Sequence, residues 1–207
     1  MLGLCKQTYR VQGPPMEKVM SVRERMIEAG ESLLAQRGYG ITLLEVREKA
    51  DTPRGSIYYH FPDGKEQLAI EVARKVTEDT EQLVATLAQK NSDPLAFLQG
   101  FVDHFLKRLV ASDFVEGCPI LGMTVSVDIE SPALREALSQ AFERYIKAIS
   151  SGLRAKGLSA SSSTDIATTV ISAVEGALVV CRATHRAAPL KRFRSMLPAL
   201  LADAGTI

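Results

Sequence analysis

The sequence predicts an all-α protein of about nine helices, built as a small N-terminal domain of three helices followed by a larger helical domain. Three observations carry this. Apolar residues recur three and four apart along most of the 207-residue chain, the spacing of one helical face, and no stretch alternates apolar with polar residues as a half-buried strand does. Helix stops cut the pattern into segments of helical length, at Gly38, at Phe61-Pro62-Asp63-Gly64, at Asn91-Ser92-Asp93-Pro94 and at Ser131-Pro132. The composition, 46% apolar and 24% charged, is that of an ordinary globular chain with enough apolar material for a core.

Residues 1–20 precede the first helical pattern. Gly13, Pro14 and Pro15 interrupt them and Met16 and Met20 follow, so the stretch reads as a flexible arm or an over-extended start. The first helix opens after Ser21, which forms a capping box with Glu24, and its stripe is Val22, Met26, Ala29 and Leu33 with Ile27 and Leu34 alongside. Gly38 ends it. Thr42 caps a second, short helix over residues 43–49. Only Ala50, Asp51 and Thr52 then precede Pro53, whose fixed φ suits the first turn of a third helix. The break at residues 61–64 closes this domain, residues 21–64, and Lys65 marks the seam to the larger one, residues 65–207.

From Lys65 to about Lys90, Leu68, Val72, Val76, Leu83 and Leu87 line a long amphipathic helix. The next runs to Ala111, and its ladder of Phe97, Phe101, Phe105 and Leu109 has the bulk to centre a core. After a break at 113–117, the small apolar residues 118–126 form a short helix interrupted by Pro119 and Gly122. Ser131 caps and Pro132 opens a helix reaching Lys156 through Leu134, Leu138, Phe142, Tyr145 and Ile149. Residues 159–164 read as a polar loop, with Ser163 as the cap of a helix over 166–186. Pro189 starts the last helix, with Leu190, Phe193, Leu197 and Leu200 on one side.

Two short helices joined by a three-residue turn form a helix-turn-helix, whose second helix enters the major groove. Here that helix carries Ser56, Tyr58, Tyr59 and His60, a row of hydroxyl, phenol and imidazole groups suited to phosphates and base edges, while Ile57 and Phe61 fit the core. Tyrosine is amphipathic, so Tyr58 and Tyr59 taken alone suit a covering of the small core equally well. Gly38-Tyr39, Thr42, Ala50, the run Gly55-Ser56-Ile57-Tyr58-Tyr59-His60-Phe61 and Lys65-Glu66-Gln67-Leu68 together resemble the tetracycline-repressor (TetR) family of transcriptional regulators. The resemblance covers about 50 residues from Arg25 onward. One residue more than the family pattern stands between Phe61-Pro62 and Lys65, and with Gly117-Cys118-Pro119-Ile120 this is similar to the LmrA/YxaF-type branch.

The resemblance implies a one-component regulator, most often a repressor, that binds a palindromic operator duplex as a homodimer and is released by a small-molecule effector. It implies DNA contacts at Thr42, Arg54, Gly55, Ser56, Tyr58, Tyr59, His60 and Lys65. Chemistry supports these differently: Arg54 suits bidentate guanine readout, Lys65 at a helix start suits a phosphate, and Gly55 suits close approach. Pro53 replaces the common Ser or Thr of the family, so a hydroxyl contact is lost there.

The larger domain holds no motif that names a ligand. Phe101, Phe105, Met123, Phe142 and Tyr145 supply the aromatic and thioether walls of a pocket for a small, largely apolar molecule, with His104 and Cys118 as its few polar or soft groups. Apolar residues on more than one face of the last two helices suggest a dimer interface of Ile166, Val170, Val174, Leu178 and Cys181 with Phe193, Met196, Leu197, Leu200 and Leu201.

Several functions are excluded. Cys5, Cys118 and Cys181 lie too far apart for a zinc knuckle or disulfide framework, and His104 with Cys118 lacks an orienting partner for nucleophilic catalysis. No catalytic residue, metal or cofactor is expected. The rival from another class is a helical ligand-binding or redox module that never touches DNA. Lys plus Arg (25) and Asp plus Glu (24) nearly cancel, so DNA attraction must come from local charge. A reducing cytoplasm fits the thiols. No segment approaches the apolar run needed to cross a bilayer, so no membrane partner is expected.

Overall fold

The computed structural model describes residues 20–126 and 131–203, and among them the chain forms nine α-helices and no strand. The expectations for residues 1–19 lie outside the described residues. Local rules set most boundaries. Helix α1 (Val22–Arg37) starts at the anticipated capping box: Ser21 Oγ accepts from Glu24 N, and the Glu24 carboxylate accepts from Ser21 N at 2.7 Å. It stops at Gly38, whose φ of +64° leaves helical space, and a single 3-10 turn follows at Gly38–Gly40. Helix α2 (Leu43–Lys49) repeats the device with Thr42 and Glu45.

Helix α3 is shorter than its sequence suggests, Ser56–His60 rather than from Pro53. Gly55 sits at φ +88°, a conformation no right-handed helix can include, so Pro53 and Arg54 belong to a six-residue turn spanning residues 50–55. Met26, Leu34, Val46, Ile57 and Phe61 close a small core between these three helices. Helix α4 (Gly64–Lys90) completes it, since Leu68 and Val72 pack against Gly30 of α1 where a side chain would crowd them.

Helix α4 then continues into the larger domain, where it packs along α7 (Pro132–Arg154). Helix α5 (Pro94–Ala111) buries Phe97, Phe101 and Leu109 of the expected ladder, with Phe105 only half-buried. The short α6 (Pro119–Ser126) lies across the end of α1. Helix α8 (Ala160–Thr184) starts six residues earlier than expected, because Ser159 rather than Ser163 caps it, accepting from Ser162 N at 3.1 Å. Ser163 is thus an interior helical residue, fully buried. Helix α9 (Ala188–Asp203) packs on α5 and α8.

At 25 residues, α8 is apolar and long enough to cross a membrane, which corrects the expectation that no such segment exists. Here it is a core helix. Ile166, Val170, Val174 and Leu178 are buried against neighbouring helices, while its outward positions carry Thr168, Thr169, Ser172 and Gly176.

Candidate functional site

The donor-rich segment is turned outward. Ile57 and Phe61 are buried in the core and hold the inner side of α3, which leaves Tyr58 and Tyr59 65% and 83% exposed. A tyrosine that covered the small core would have lost that surface, so these two are free to meet a partner. Tyr59 stands edge-on to the half-buried His60, ring centroids 5.1 Å apart. Arg54 is exposed and makes no ion pair among the described residues. Between α2 and α3 a notch of about 320 Å³ is lined by Leu44, Arg47, Arg54 and Tyr58. Sequence reasoning missed both Leu44, which is exposed, and Arg47, three residues on and largely covered.

The remaining expected contacts are more committed. Ser56 Oγ donates to Pro53 O at 2.7 Å. Thr42 is exposed, but its hydroxyl serves the capping box, and Glu45 is held down to about 2 by its hydrogen bonds from Arg37 and from Thr42. Gly55 sits at φ +88° with open space around it, so the backbone conformation favours glycine there and the space beside it stays open to a partner. The Lys65 ammonium donates to Tyr39 O at 3.0 Å and lies 4.1 Å from the centre of the Tyr39 ring. Two of its three N–H groups remain for a phosphate.

In the larger domain a small, partly enclosed cavity of about 20 Å³, room for one water, lies where α4, α5, α7 and α8 meet the start of α6. Three of the expected pocket residues line it: Phe105, Cys118 and Tyr145. The others do not. Phe101 and Met123 are fully buried in the core, Phe142 is edge-on to Tyr145, and half-buried His104 packs on Phe105 with its pKa lowered by burial and by Arg108 and Lys107.

The polar group that sequence reasoning missed is Glu175 of α8, only 7% exposed. Its one signal is an acid on the inward side of an apolar helix, between Val174 and Leu178. Burial pushes its carboxyl up to about 7. The Cys118 thiol beside it is itself raised well above its ordinary value by burial and by Glu175, and Glu175 Oε2 has no partner. Tyr145 Oη is also unpartnered. The Thr77 and Thr80 hydroxyls beside it donate instead to Ala73 O and Val76 O of their own helix.

Cavity and N-terminal domain share a seam at the end of α1. Gly117 N donates to Ala35 O at 3.0 Å, and Arg182 of α8 donates to Ala35 O and Gln36 O at 3.2 and 2.6 Å, satisfying carbonyls the helix end leaves open. Ser126 of α6 accepts from Tyr39 N at 2.6 Å.

The expected dimer residues divide. Ile166, Val170, Val174, Leu178, Cys181 and Leu197 are sealed inside the chain and have no surface left for a second copy. Phe193, Leu200 and Leu201 are half-buried, and Met196 is 63% exposed. The reason is that one chain needs the inward faces of both α8 and α9 for its own core. The outward surface is instead Thr168, Thr169, Ser172, Gly176, Val179 and Val180 of α8 with Met196 of α9. Cys118 and Cys181 are both buried free thiols, and among the described residues no three His, Cys, Asp or Glu side chains come together as a metal site.

Comparison with known proteins matches this arrangement. Residues 26–72 match the family described as bacterial regulatory proteins, tetR family, and residues 94–196 match the C-terminal domain of LmrA/YxaF-like transcriptional regulators. The HTH-type transcriptional regulator LmrA of Bacillus subtilis (strain 168) is 31% identical over 180 residues, 86% of this chain and 96% of that protein. The HTH-type transcriptional repressor DhaR of Mycobacterium sp. (strain GP1) is 27% identical over 128 residues, 61% of this chain and 62% of its own length. A TetR transcriptional regulator from Legionella pneumophila has the same fold, with a TM-score of 0.81 at 22% identity over 88% of this chain and 98% of its own. The family and these relatives are transcriptional regulators and not enzymes, which favours the regulator over the DNA-free module kept open by the sequence. The chain belongs to the tetR family of helix-turn-helix transcriptional regulators, with an LmrA/YxaF-like C-terminal domain.

Proposed function

We propose that the protein is a cytoplasmic repressor that binds a palindromic operator as a homodimer and releases it when a small, largely apolar effector enters the larger domain. The observation that carries the DNA reading is the division of α3: Ile57 and Phe61 are buried while Tyr58, Tyr59 and the preceding Arg54 face outward. Helix α3 is only five residues long, so base contacts come from its first turn and from the turn before it. The effector reading rests on the cavity at the start of α6, next to the seam that carries α1. A guest that fits only one setting of that seam would alter the spacing of two readers, and a coupling of about 1 to 3 kcal/mol suffices for release.

The test is anisotropy with duplexes from the DNA upstream of the protein's own gene. Arg54→Ala is expected to cost about 1 to 3 kcal/mol and to relax preference at one base position. Lys65→Ala is expected to weaken all duplexes alike and to flatten the salt dependence by about one phosphate. If both variants bind every duplex as the parent does, the helix-turn-helix is not the reader.

A further inference from the structure

We propose that Leu44 is a base-reading residue whose side chain packs on the C5-methyl group of a thymine that neighbours the guanine contacted by Arg54. This rests on the DNA reading above and names one more feature of the duplex that the protein recognises. Leu44 lies in the first turn of α2 and is 58% exposed. With Arg47 and Glu48 it forms one wall of the notch of about 320 Å³ between α2 and α3. Arg54, Gly55 and Tyr58 form the other wall, and the buried Ile57 lies between them.

The two walls belong to one reader. In a helix-turn-helix the start of the second helix lies over base edges in the major groove. Arg54 and Tyr58 flank that start here, so the base pairs that Arg54 reaches pass the mouth of the notch, with Leu44 on its opposite side. Gly55 leaves the mouth open, since a Cβ there would meet nothing within 4 Å.

The chemistry of the notch selects which part of the duplex enters. A phosphate is a poor occupant, because Leu44 offers it no donor and the exposed Glu48 carboxylate repels it. Arg47 is largely covered and already serves Glu48 at 3.1 Å and Thr52 O at 3.5 Å. A base edge fits better. The groups that set one base pair apart from another in the major groove are hydrogen-bond donors and acceptors, with one exception, the thymine methyl. A leucine gains only from that methyl. Over any polar edge it would displace water and return no partner, which is costly. Leu44 therefore favours thymine and disfavours a base whose polar edge it would cover, while the exposed Arg54 beside it supplies the hydrogen bonds.

The experiment starts from a duplex that the full chain selects from a random pool. Each thymine of a half-site, on either strand, is replaced in turn by deoxyuridine, which removes the methyl and keeps every hydrogen-bonding group, and affinity is read by anisotropy. At one thymine, next to or one step from the guanine that responds to Arg54→Ala, affinity is expected to fall about fourfold, the worth of one buried methyl-sized group, and about fifteenfold when both half-sites are changed. Leu44→Ala is expected to bind the thymine and uracil duplexes alike, and Leu44→Met to keep the preference for thymine. Leu44 is exposed, so both variants should melt with the parent. The proposal fails if no deoxyuridine near that guanine lowers affinity, or if the loss persists in full in Leu44→Ala. A protein that selects a duplex but is indifferent to the methyl loses only this proposal, whereas one that enriches no duplex loses the function proposed above.

Discussion

Glu175 destabilises the free protein, and the direction of its titration says how. The native carboxyl keeps its proton up to about 7, against an ordinary value of 4.5, so between those values the unfolded chain holds fewer protons than the native one. Stability therefore falls as pH rises through that window: the advantage is complete below about 4.5 and gone above about 7. Glu175→Gln keeps the shape and removes the titration. The variant is expected to match the parent near pH 4.5 and to exceed it by about 1 to 3 kcal/mol at pH 8, read from urea unfolding at both. Equal stabilities at pH 8 would mean that the carboxyl is solvated in the native state. At this scale the sequence was legible where a residue's neighbours in the chain set its role. Ser21 and Thr42 cap as written, and Ile57 and Phe61 face inward as expected. It was not legible where the role depends on what other helices leave uncovered. Nothing in a run of apolar residues announces that one acid will be buried among them without a cation. His104 looked like the polar group of a pocket, yet it turns out to lie beside Phe105 and away from the cavity wall.

Among the elements, α6 meets its neighbour backbone against backbone, where no side chain intervenes. A Cβ at Gly122 would stand 2.8 Å from Leu34 O and 3.4 Å from Gly38 Cα, and one at Gly38 would collide with Ser126 Oγ and Gly122 O. Backbone therefore meets backbone where α6 crosses the end of α1, and Arg182 and Gly117 bind the same end. Gly122→Ala is expected to force α6 outward and to lower stability by about 1 to 3 kcal/mol, the usual penalty of overpacking, with faster amide exchange in α6 and in residues 34–40. Unchanged exchange there would show that the seam absorbs a methyl group and is too soft to link the two domains. Glycines 38 and 122 were visible in the sequence only as a stop and an interruption, since the contact between them joins positions 84 apart. The same limit explains two misplaced starts. Pro53 and Ser163 each had the right chemistry for a helix opening, but the positive φ at Gly55 delayed α3, and Ser159, an equally good cap, came first for α8.

For the whole molecule the faces that a single chain uses up decide which surface is left for a partner. The inward faces of α8 and α9 are spent on its own core, so the homodimer proposed above would have to use what remains: Thr168, Thr169, Ser172, Gly176, Val179 and Val180, with Met196 from α9. Much of this stripe is less polar than it reads. Thr168 and Thr169 donate to Thr164 O and Asp165 O of their own helix, which satisfies their hydroxyls without a partner molecule. Gly176 is the informative residue. It lies in the middle of a long helix, where glycine is about 0.5 to 1 kcal/mol worse than alanine, and a Cβ there would touch nothing within 4 Å. The single chain gains nothing from that glycine, whereas a helix of a second copy crossing at this point would be able to approach closely. In the proposed homodimer, a two-fold pairing of α8 and α9 with the same helices of the partner would bury Val179, Val180 and Met196 and would set the two α3 helices for half-sites one helical turn apart, about 34 Å. Gly176→Leu is expected to leave the monomer's helicity and folding intact, since the site is open, while converting a micromolar dimer to monomer in sedimentation. Operator affinity should then fall on the order of a hundredfold or more, as the second half-site no longer binds at the effective concentration that dimerisation supplies. A parent that sediments as a monomer yet binds full operator, or a variant that remains dimeric, would show that the copies meet elsewhere.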